Sequence, residues 1–316
     1  MRLLLLACAL LIPSVAAAQA PAGAGEKPLA PAVKKKPVRK QRELPGDVVE
    51  IKTKDGWTLA GSYQPAREDQ LTFILLHDAH GRRQNWYWLT RRMERKGLGF
   101  LAIDMRGHGQ SQNPPEGKEA SWRKFKRAKR DNDWENIRED VEAAVAFLEE
   151  HGVPSETIAL GGADVGGSIA LKYAALHEEI EMVFLLSPGF SYQEVLTVNA
   201  MRAYRRRPIL LVVADDDRRS STETPILFQF ARNAAGPENA TLLRTEKGHG
   251  TRMLYYNKGV TDKIVGWIED PVVPPEIDIS SGTTMSPYGE SGADDGSLPT
   301  DGELERLDEQ VPPADD

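Results

Sequence analysis

Three groups of residues in this 316-residue chain could carry chemistry. The first is Asp164, at the centre of Ile158-Ala159-Leu160-Gly161-Gly162-Ala163-Asp164-Val165-Gly166-Gly167-Ser168, where a short apolar run passes through glycines into an alanine-rich stretch. Small residues on both sides of one polar residue are what a strained strand-to-helix corner requires, because the corner leaves no room beside it and lifts its own side chain above the sheet. The second group is Asp215-Asp216-Asp217, directly after the apolar run 209–214. A run of Asp can simply turn a chain, but its place at a strand end suits a functional acid. The third is His249, held between Gly248 and Gly250 after the β-branched run 241–245. Its polar, flexible flanks argue against a core histidine and for one free to reach a site. A carboxylate at a corner is already ionised and needs no base for attack. Its useful reaction is displacement at a saturated carbon, giving an ester that a histidine would help water to hydrolyse.

The elements that must position these groups follow from the pattern of apolar residues. Alternating runs at 48–53 and 57–63, joined through Lys54-Asp55-Gly56, predict an antiparallel hairpin at a sheet edge. Continuous apolar or β-branched runs at 71–76, 100–104, 157–162, 182–187, 209–214 and 241–245 predict buried parallel strands. Helices are predicted over 86–96 (ending at Gly97), 136–151 (ending at Gly152), 165–177, 224–235 and 260–268. The sum is an α/β domain over residues 47–270, an eight-stranded, mostly parallel sheet with helices on both faces. Too few residues separate the runs ending at 187 and starting at 209 for a large lid domain. Residues 111–136 form an insertion with Trp122, Phe125, Trp134 and seven Lys or Arg between 118 and 130, expected as a solvated helix anchored by two aromatics in preference to a substrate or membrane patch draped over the site.

Four strings in order resemble the α/β-hydrolase superfamily: Leu75-Leu76-His77-Asp78-Ala79-His80-Gly81 (oxyanion strand and loop), Ile103-Asp104-Met105-Arg106-Gly107-His108-Gly109-Gln110-Ser111, the corner at Asp164, and Gly248-His249-Gly250. The resemblance spans about residues 47 to 270. It implies the α/β-hydrolase fold and the order nucleophile, acid, histidine, hence Asp164 where the family carries Ser, Asp217 as the acid by the family's Gly-x-x-Asp pattern, and His249. It implies oxyanion donors from the backbone N–H groups of Val165 and Ala79, structural roles for His77 and His108, and no metal and no cofactor. Asp104 and Arg106 are expected to pair with each other or brace loops, and Ser168, one helical turn on, to face away from the corner. Haloalkane dehalogenases and epoxide hydrolases of the superfamily use an Asp nucleophile, usually with Trp after it, a His-Gly pair in the oxyanion loop and a large lid. This chain has Val165, Asp78 and no room for that lid. Residues 162–175 with Leu185-Leu186-Ser187-Pro188-Gly189 instead resemble small lidless esterase-like members. Two readings are therefore carried: a small-molecule hydrolase, ester-like or acting on epoxides and haloalkanes through Asp164, and a non-catalytic binding or scaffold protein. Geometry decides between them. One Asp164 oxygen is expected within hydrogen-bond reach of His249, about 2.6–3.2 Å if the pair is poised. If Asp164's own carboxylate takes the oxyanion donors, acyl substrates are excluded.

The ends bound the setting. Met1-Arg2, the apolar residues to Ile12 and Ala16-Ala17-Ala18-Gln19-Ala20 read as a secretory signal over 1–20, too short to span a bilayer. Export to a periplasm or medium is expected, with lipidation at Cys8 the lesser alternative. Cys8 is the only cysteine, so cleavage leaves no thiol chemistry. Residues 21–46 read as a basic Pro/Ala/Lys linker and 271–316, with twelve Asp or Glu against one Arg, as an acidic tail too polar to bury a core. The tail accounts for most of the net charge of -7. Residues 47–270, once the basic linker is also set aside, are near neutral and give no case for nucleic acid. The expected partner is a small molecule, with no integral membrane segment after cleavage.

Overall fold

Runs that are apolar at every position can only be satisfied by a strand covered on both faces, and that is where they lie. Eight strands form one sheet: β1 (Asp47–Lys52), β2 (Thr58–Gln64), β3 (Thr72–Leu76), β4 (Gly99–Ile103), β5 (Ile158–Ala163), β6 (Val183–Leu186), β7 (Ile209–Ala214) and β8 (Ala240–Thr245). Their order across the sheet is β1-β2-β4-β3-β5-β6-β7-β8. Only β2 is antiparallel to its neighbours; every other pairing is parallel. This computed structural model describes residues 42–271 apart from Glu116, Lys118 and Lys129. The expected signal (1–20, with Cys8), nearly all of the linker (21–46) and all but the first residue of the tail (271–316) lie outside the described residues.

Side chains alternate across each strand, so one run feeds two cores. Ile74, Leu76, Leu101, Ile103, Leu160, Leu185 and Leu211 face α2 (Arg138–Glu150), α3 (Val165–Leu176), α4 (Val198–Ala203) and α5 (Arg218–Ala235). Phe73, Leu75, Phe100, Phe184, Leu186 and Val212 face α1 (Tyr87–Lys96), the short α6 (Met253–Tyr256) and α7 (Val260–Glu269). Helices thus cover both faces. No large lid interrupts the described chain: residues 187–208 hold only a two-residue-stranded hairpin (Ser191–Tyr192 with Val195–Leu196) and α4. Among the described residues no helix is long and apolar enough to cross a membrane.

Two expectations need correction. α5 begins at Arg218 and not at 224. Pro225 resembles a first-turn proline, yet it lies inside the helix, whose start is fixed by Asp217 capping the Ser220 N–H. The insertion is not a helix. It is a single 3-10 turn (Trp122–Lys124), a tight hairpin (Arg127–Ala128 with Asp131–Asn132) and a second 3-10 turn (Glu135–Ile137), pinned by Trp134, which is 1% exposed. Trp134 packs edge-on to Phe125 at 5.5 Å, and the irregular path follows from seating its rings while the charged residues stay in water.

The corner itself rests on close backbone approach. A Cβ on Gly162 would lie 2.4 Å from the Gly166 carbonyl oxygen, and one on Gly166 would lie 2.4 Å from that of His77. β5, α3 and the β3 loop are therefore in backbone contact where Asp164 is held. Gly166→Ala should destabilise the domain by about 1–3 kcal/mol through this overlap. Gly266→Ala on α7, where a Cβ meets nothing within 4 Å, should stabilise it by up to ~1 kcal/mol through helix propensity. Urea unfolding of both variants checks the pair; a Gly166→Ala protein as stable as the parent would show that the approach is not tight.

Candidate active site

The apolar strand β5 ends at Ala163, and the next residue makes the turn. Asp164 has φ 54 and ψ -125, a region that costs a non-glycine residue roughly 1–3 kcal/mol. Two backbone bonds hold it there: its N–H donates to Leu186 O at 3.0 Å, and its carbonyl accepts the Ser168 N–H at 3.1 Å, the first helical bond of α3. The side chain is thus projected at the carboxyl ends of the parallel strands, where it is 5% exposed. Asp164 Oδ2 accepts the Ala79 N–H at 3.0 Å. One of the two expected oxyanion donors thus holds the carboxylate of Asp164, and the other, the Val165 N–H at the start of α3, favours its anion. Asp164 Oδ1 is buried without a hydrogen-bond partner.

The acid run after β7 divides into three fates. Asp215 pairs with Arg244 at 2.7 Å on the surface, and Asp216 accepts the Gly248 N–H at 2.7 Å. Asp217 Oδ2 meets His249 Nδ1 at 2.7 Å. With Nδ1–H given to Asp217, His249 Nε2 faces Asp164 Oδ1 at 3.8 Å, longer than the expected hydrogen bond. The gap has a cause: the backbone donors draw Asp164 to one side, and Asp217 draws the imidazole to the other. The histidine loop is fixed by residues with no sequence signature. Ser187 Oγ, at the end of β6 with φ 50, accepts the Gly250 N–H at 2.9 Å, and Thr251 Oγ1 donates to Asp78 Oδ2 at 2.6 Å, tying the loop to the oxyanion strand. Tyr192 stands edge-on to His249 at 5.8 Å, its hydroxyl bonded to Ser220 Oγ at 2.8 Å. Only contact across loops far apart in sequence reveals these three.

Three carboxylates around one imidazole set its charge. Burial works against the His249 cation, but the Asp217 hydrogen bond and the charges of Asp164, Asp217 and Asp78 outweigh it and raise its pKa. Burial acts on Asp217 in the opposite sense, yet the His249 bond and contacts to Ser187 and Ser220 hold its pKa below the usual carboxylate value. For Asp164 burial prevails: its pKa is raised although His249 and the Ala79 and Val165 N–H groups favour the anion. Tyr192 is pushed well up by burial and by the neighbouring Asp164 charge.

The remaining residues brace the loops. His77 Nε2 accepts the Met105 N–H at 3.1 Å, which puts its proton on Nδ1, donated to Asp78 O at 2.7 Å. His108 contacts Arg106 O and Ala79 O, both at 2.9 Å, and burial with the adjacent His77 lowers its pKa to about 3, so it is neutral. Asp104 and Arg106 do not pair. Asp104 takes buried Arg83, and Arg106, beyond the turn that follows the strand, takes Asp140 at 2.6 Å and Asp55 at 2.6 Å. Ser168 is 2% exposed and bonds Thr197 Oγ1 at 2.8 Å. Among the described residues no cluster of His, Cys, Asp and Glu could hold a metal.

Known proteins share this fold. Residues 68–214 match the family described as serine aminopeptidase, S33. An AB hydrolase superfamily protein, YisY of Bacillus subtilis, is 28% identical over 130 residues, which is 38% of this chain and 41% of that one; the match spans about two fifths of the relative. An esterase of Pyrococcus furiosus superposes with a TM-score of 0.57 at 17% identity over 71% of this chain and 89% of its own. A hydrolase from Pseudomonas aeruginosa does so with a TM-score of 0.55 at 15% identity over 71% and 99%.

The His249 balance can be measured. Its folded pKa lies above the unfolded value of about 6.5, so the stability it adds is complete below that pH and is lost as pH rises through the folded pKa. Asp164→Asn should lower the His249 midpoint by removing a charge, and Asp217→Asn should lower it further by removing both a charge and a hydrogen bond. Ring-proton NMR titration reads both shifts. Unchanged midpoints would mean that the three groups are uncoupled.

Proposed function

We propose, from the premise that this chain belongs to the α/β-hydrolase superfamily, that it hydrolyses small molecules by displacement at a saturated carbon through Asp164. One observation carries this reading: Asp164 Oδ2 takes the Ala79 N–H, an expected oxyanion donor, while Oδ1 is left unbonded toward His249. An acyl substrate would have to displace this carboxylate to seat its carbonyl oxygen. An alkyl halide or epoxide needs no oxyanion donor in the first step. Oδ1 forms a bond to carbon; a halide departs as the anion with the bonding pair, or an epoxide oxygen keeps the pair and takes a proton from water. The product is an alkyl ester of Asp164 whose own carbonyl oxygen, Oδ2, already lies against the Ala79 N–H. Neutral His249, oriented by Asp217, then takes a proton from water as the water oxygen attacks Asp164 Cγ. The negative charge that develops on Oδ2 is met by the Ala79 and Val165 N–H groups. Collapse expels the alcohol, which receives the proton from His249 Nε2. Residues 1–20 support export, so that the mature protein would act outside the cytoplasm.

The non-catalytic alternative is favoured by a different observation, the burial of Asp164 at 5% exposure beneath a hole filled by its own carboxylate. The two readings differ in where a water oxygen goes. A single turnover of a haloalkane or epoxide in oxygen-18 water should place one label in the Asp164 peptide, and His249→Ala should accumulate an alkyl adduct there, both read by mass spectrometry. Rates should rise with pH through the raised His249 pKa, since only neutral imidazole accepts the proton. Chromogenic esters should be untouched by the parent. If a broad panel yields neither adduct nor label, the protein is a binder.

A further inference from the structure

We infer that the domain carries a second ligand site, on the insertion side of the sheet edge, built for a small amphoteric molecule of the amino-acid type. A cavity of about 560 Å³ opens between the β1–β2 turn and the segment 113–136, within the size range of small-molecule sites. It is not an accident of a loose loop. The insertion is tied to the hairpin by the Thr58 N–H on Asn113 O at 3.2 Å, to itself by the Ala120 N–H on Gln112 O at 2.9 Å, and at its base by the Trp122 N–H on Gly107 O at 3.2 Å. Part of its wall is Arg106, whose side chain is 3% exposed and locked by Asp140 and Asp55 with its guanidinium 5.4 Å from the Trp57 ring centroid. Burial raises the Asp140 pKa to about 6 against the pull of Arg106, so this wall stays pinned at neutral pH.

What lines the cavity defines the ligand. Trp57, Pro114 and Phe125 give an apolar wall. Arg106 and Asp55 satisfy each other, and Asp133 gives one oxygen to the Lys126 N–H at 2.9 Å. Three groups are left over: among the described residues the side chains of Lys124 and Glu119 have no ion pair or hydrogen bond, and the Asn136 side-chain amide has no partner. A cation and an anion that share one cavity without pairing can each take the opposite charge of one ligand. Its carboxylate would go to Lys124, its ammonium to Glu119 and the open oxygen of Asp133, and its apolar side chain to Trp57 and Phe125. Such charge-assisted bonds are strong; the ties above fix the backbone of the cavity, and the Lys124 and Glu119 side chains become ordered on the ligand. The cavity is lined by no residue of the Asp164 site, so the proposal stands independently of the reaction assigned there.

L-phenylalanine, phenethylamine and 3-phenylpropionate are probes that share one ring and differ in charge. Titrated into the full chain and followed by amide and indole NMR, L-phenylalanine should bind saturably, with shifts centred on Trp57, Phe125 and Asn136, and more tightly than either singly charged analogue. Lys124→Glu and Glu119→Lys, both at exposed positions, should each weaken it by roughly tenfold, the order expected for one lost charge-assisted bond. Equal binding of phenethylamine or of 3-phenylpropionate would overturn the amphoteric assignment. So would shifts centred on Val165 and His249, and so would affinity unchanged by both substitutions.

Discussion

One hydrogen bond organises this molecule, from the Ala79 N–H to Asp164 Oδ2 at 3.0 Å. It joins segments 85 positions apart, the loop after β3 and the corner after β5, at the point where three glycine-rich backbones already touch. It also sets a balance of charges. The donors at the start of α3 favour an anion, while near-complete burial disfavours it, and burial is the larger effect on Asp164. The same carboxylate raises the proton affinity of His249 and of Tyr192. A hydroxyl at the corner would change all of this. It would leave the donors open and remove a negative charge from beside the imidazole.

The loops around the site are held by buried ion pairs and neutral histidines. Arg83 with Asp104, and Arg106 with Asp140, have side chains no more than 3% exposed. Desolvation makes such pairs poor sources of net stability, but removing one partner leaves a buried charge unpaired. Their effect here is geometric. Asp104 also accepts the Arg83 and Gln110 N–H groups and Asp140 the Arg106 N–H, so each pair fixes the main chain of a loop that borders the site. His108 also touches Ala79 O, on the residue that donates to Asp164, and Arg106 O, and being neutral it donates to one of the two.

Most of this architecture can be read in the sequence because parallel strands covered on both faces leave uninterrupted apolar runs, and the observed strand ends fall within one or two residues of them. The corner was legible for a similar reason, since glycine on each side of one polar residue has few other uses. Elements stabilised by single contacts were not. Pro225 marks a helix start by itself, yet Asp217 caps the helix eight residues earlier while also bonding His249. The insertion has helical composition, and three aromatic anchors override it. Asp104 and Arg106 are two residues apart in the motif, but each finds a buried partner on a distant segment, Arg83 for one and Asp140 for the other. Ser187, Thr251 and Tyr192 act through loops that meet only in the folded chain, and no spacing rule connects them.

Occupying the oxyanion donors need not disable the site; it changes which carbonyl they can serve. In acyl transfer the electrophile comes with the substrate, so the donors must be empty until it binds. With a carboxylate at the corner, the electrophilic carbonyl of the second step would be made from the protein itself, and the donors can be filled from the start. Preorganisation is then complete before substrate arrives, because Oδ2 does not have to find the Ala79 N–H as charge develops. The cost falls on the other oxygen. Oδ1 must stay free of partners to attack, and a buried, unbonded carboxylate oxygen is unstable as an anion, which agrees with the raised proton affinity of Asp164. His249, at 3.8 Å and carrying a stabilised positive charge at lower pH, is the group that offsets this cost without capping the oxygen. In the proposed reaction the 3.8 Å gap is therefore functional: a closer imidazolium would bond Oδ1 and quench it, and a more distant one would leave it protonated.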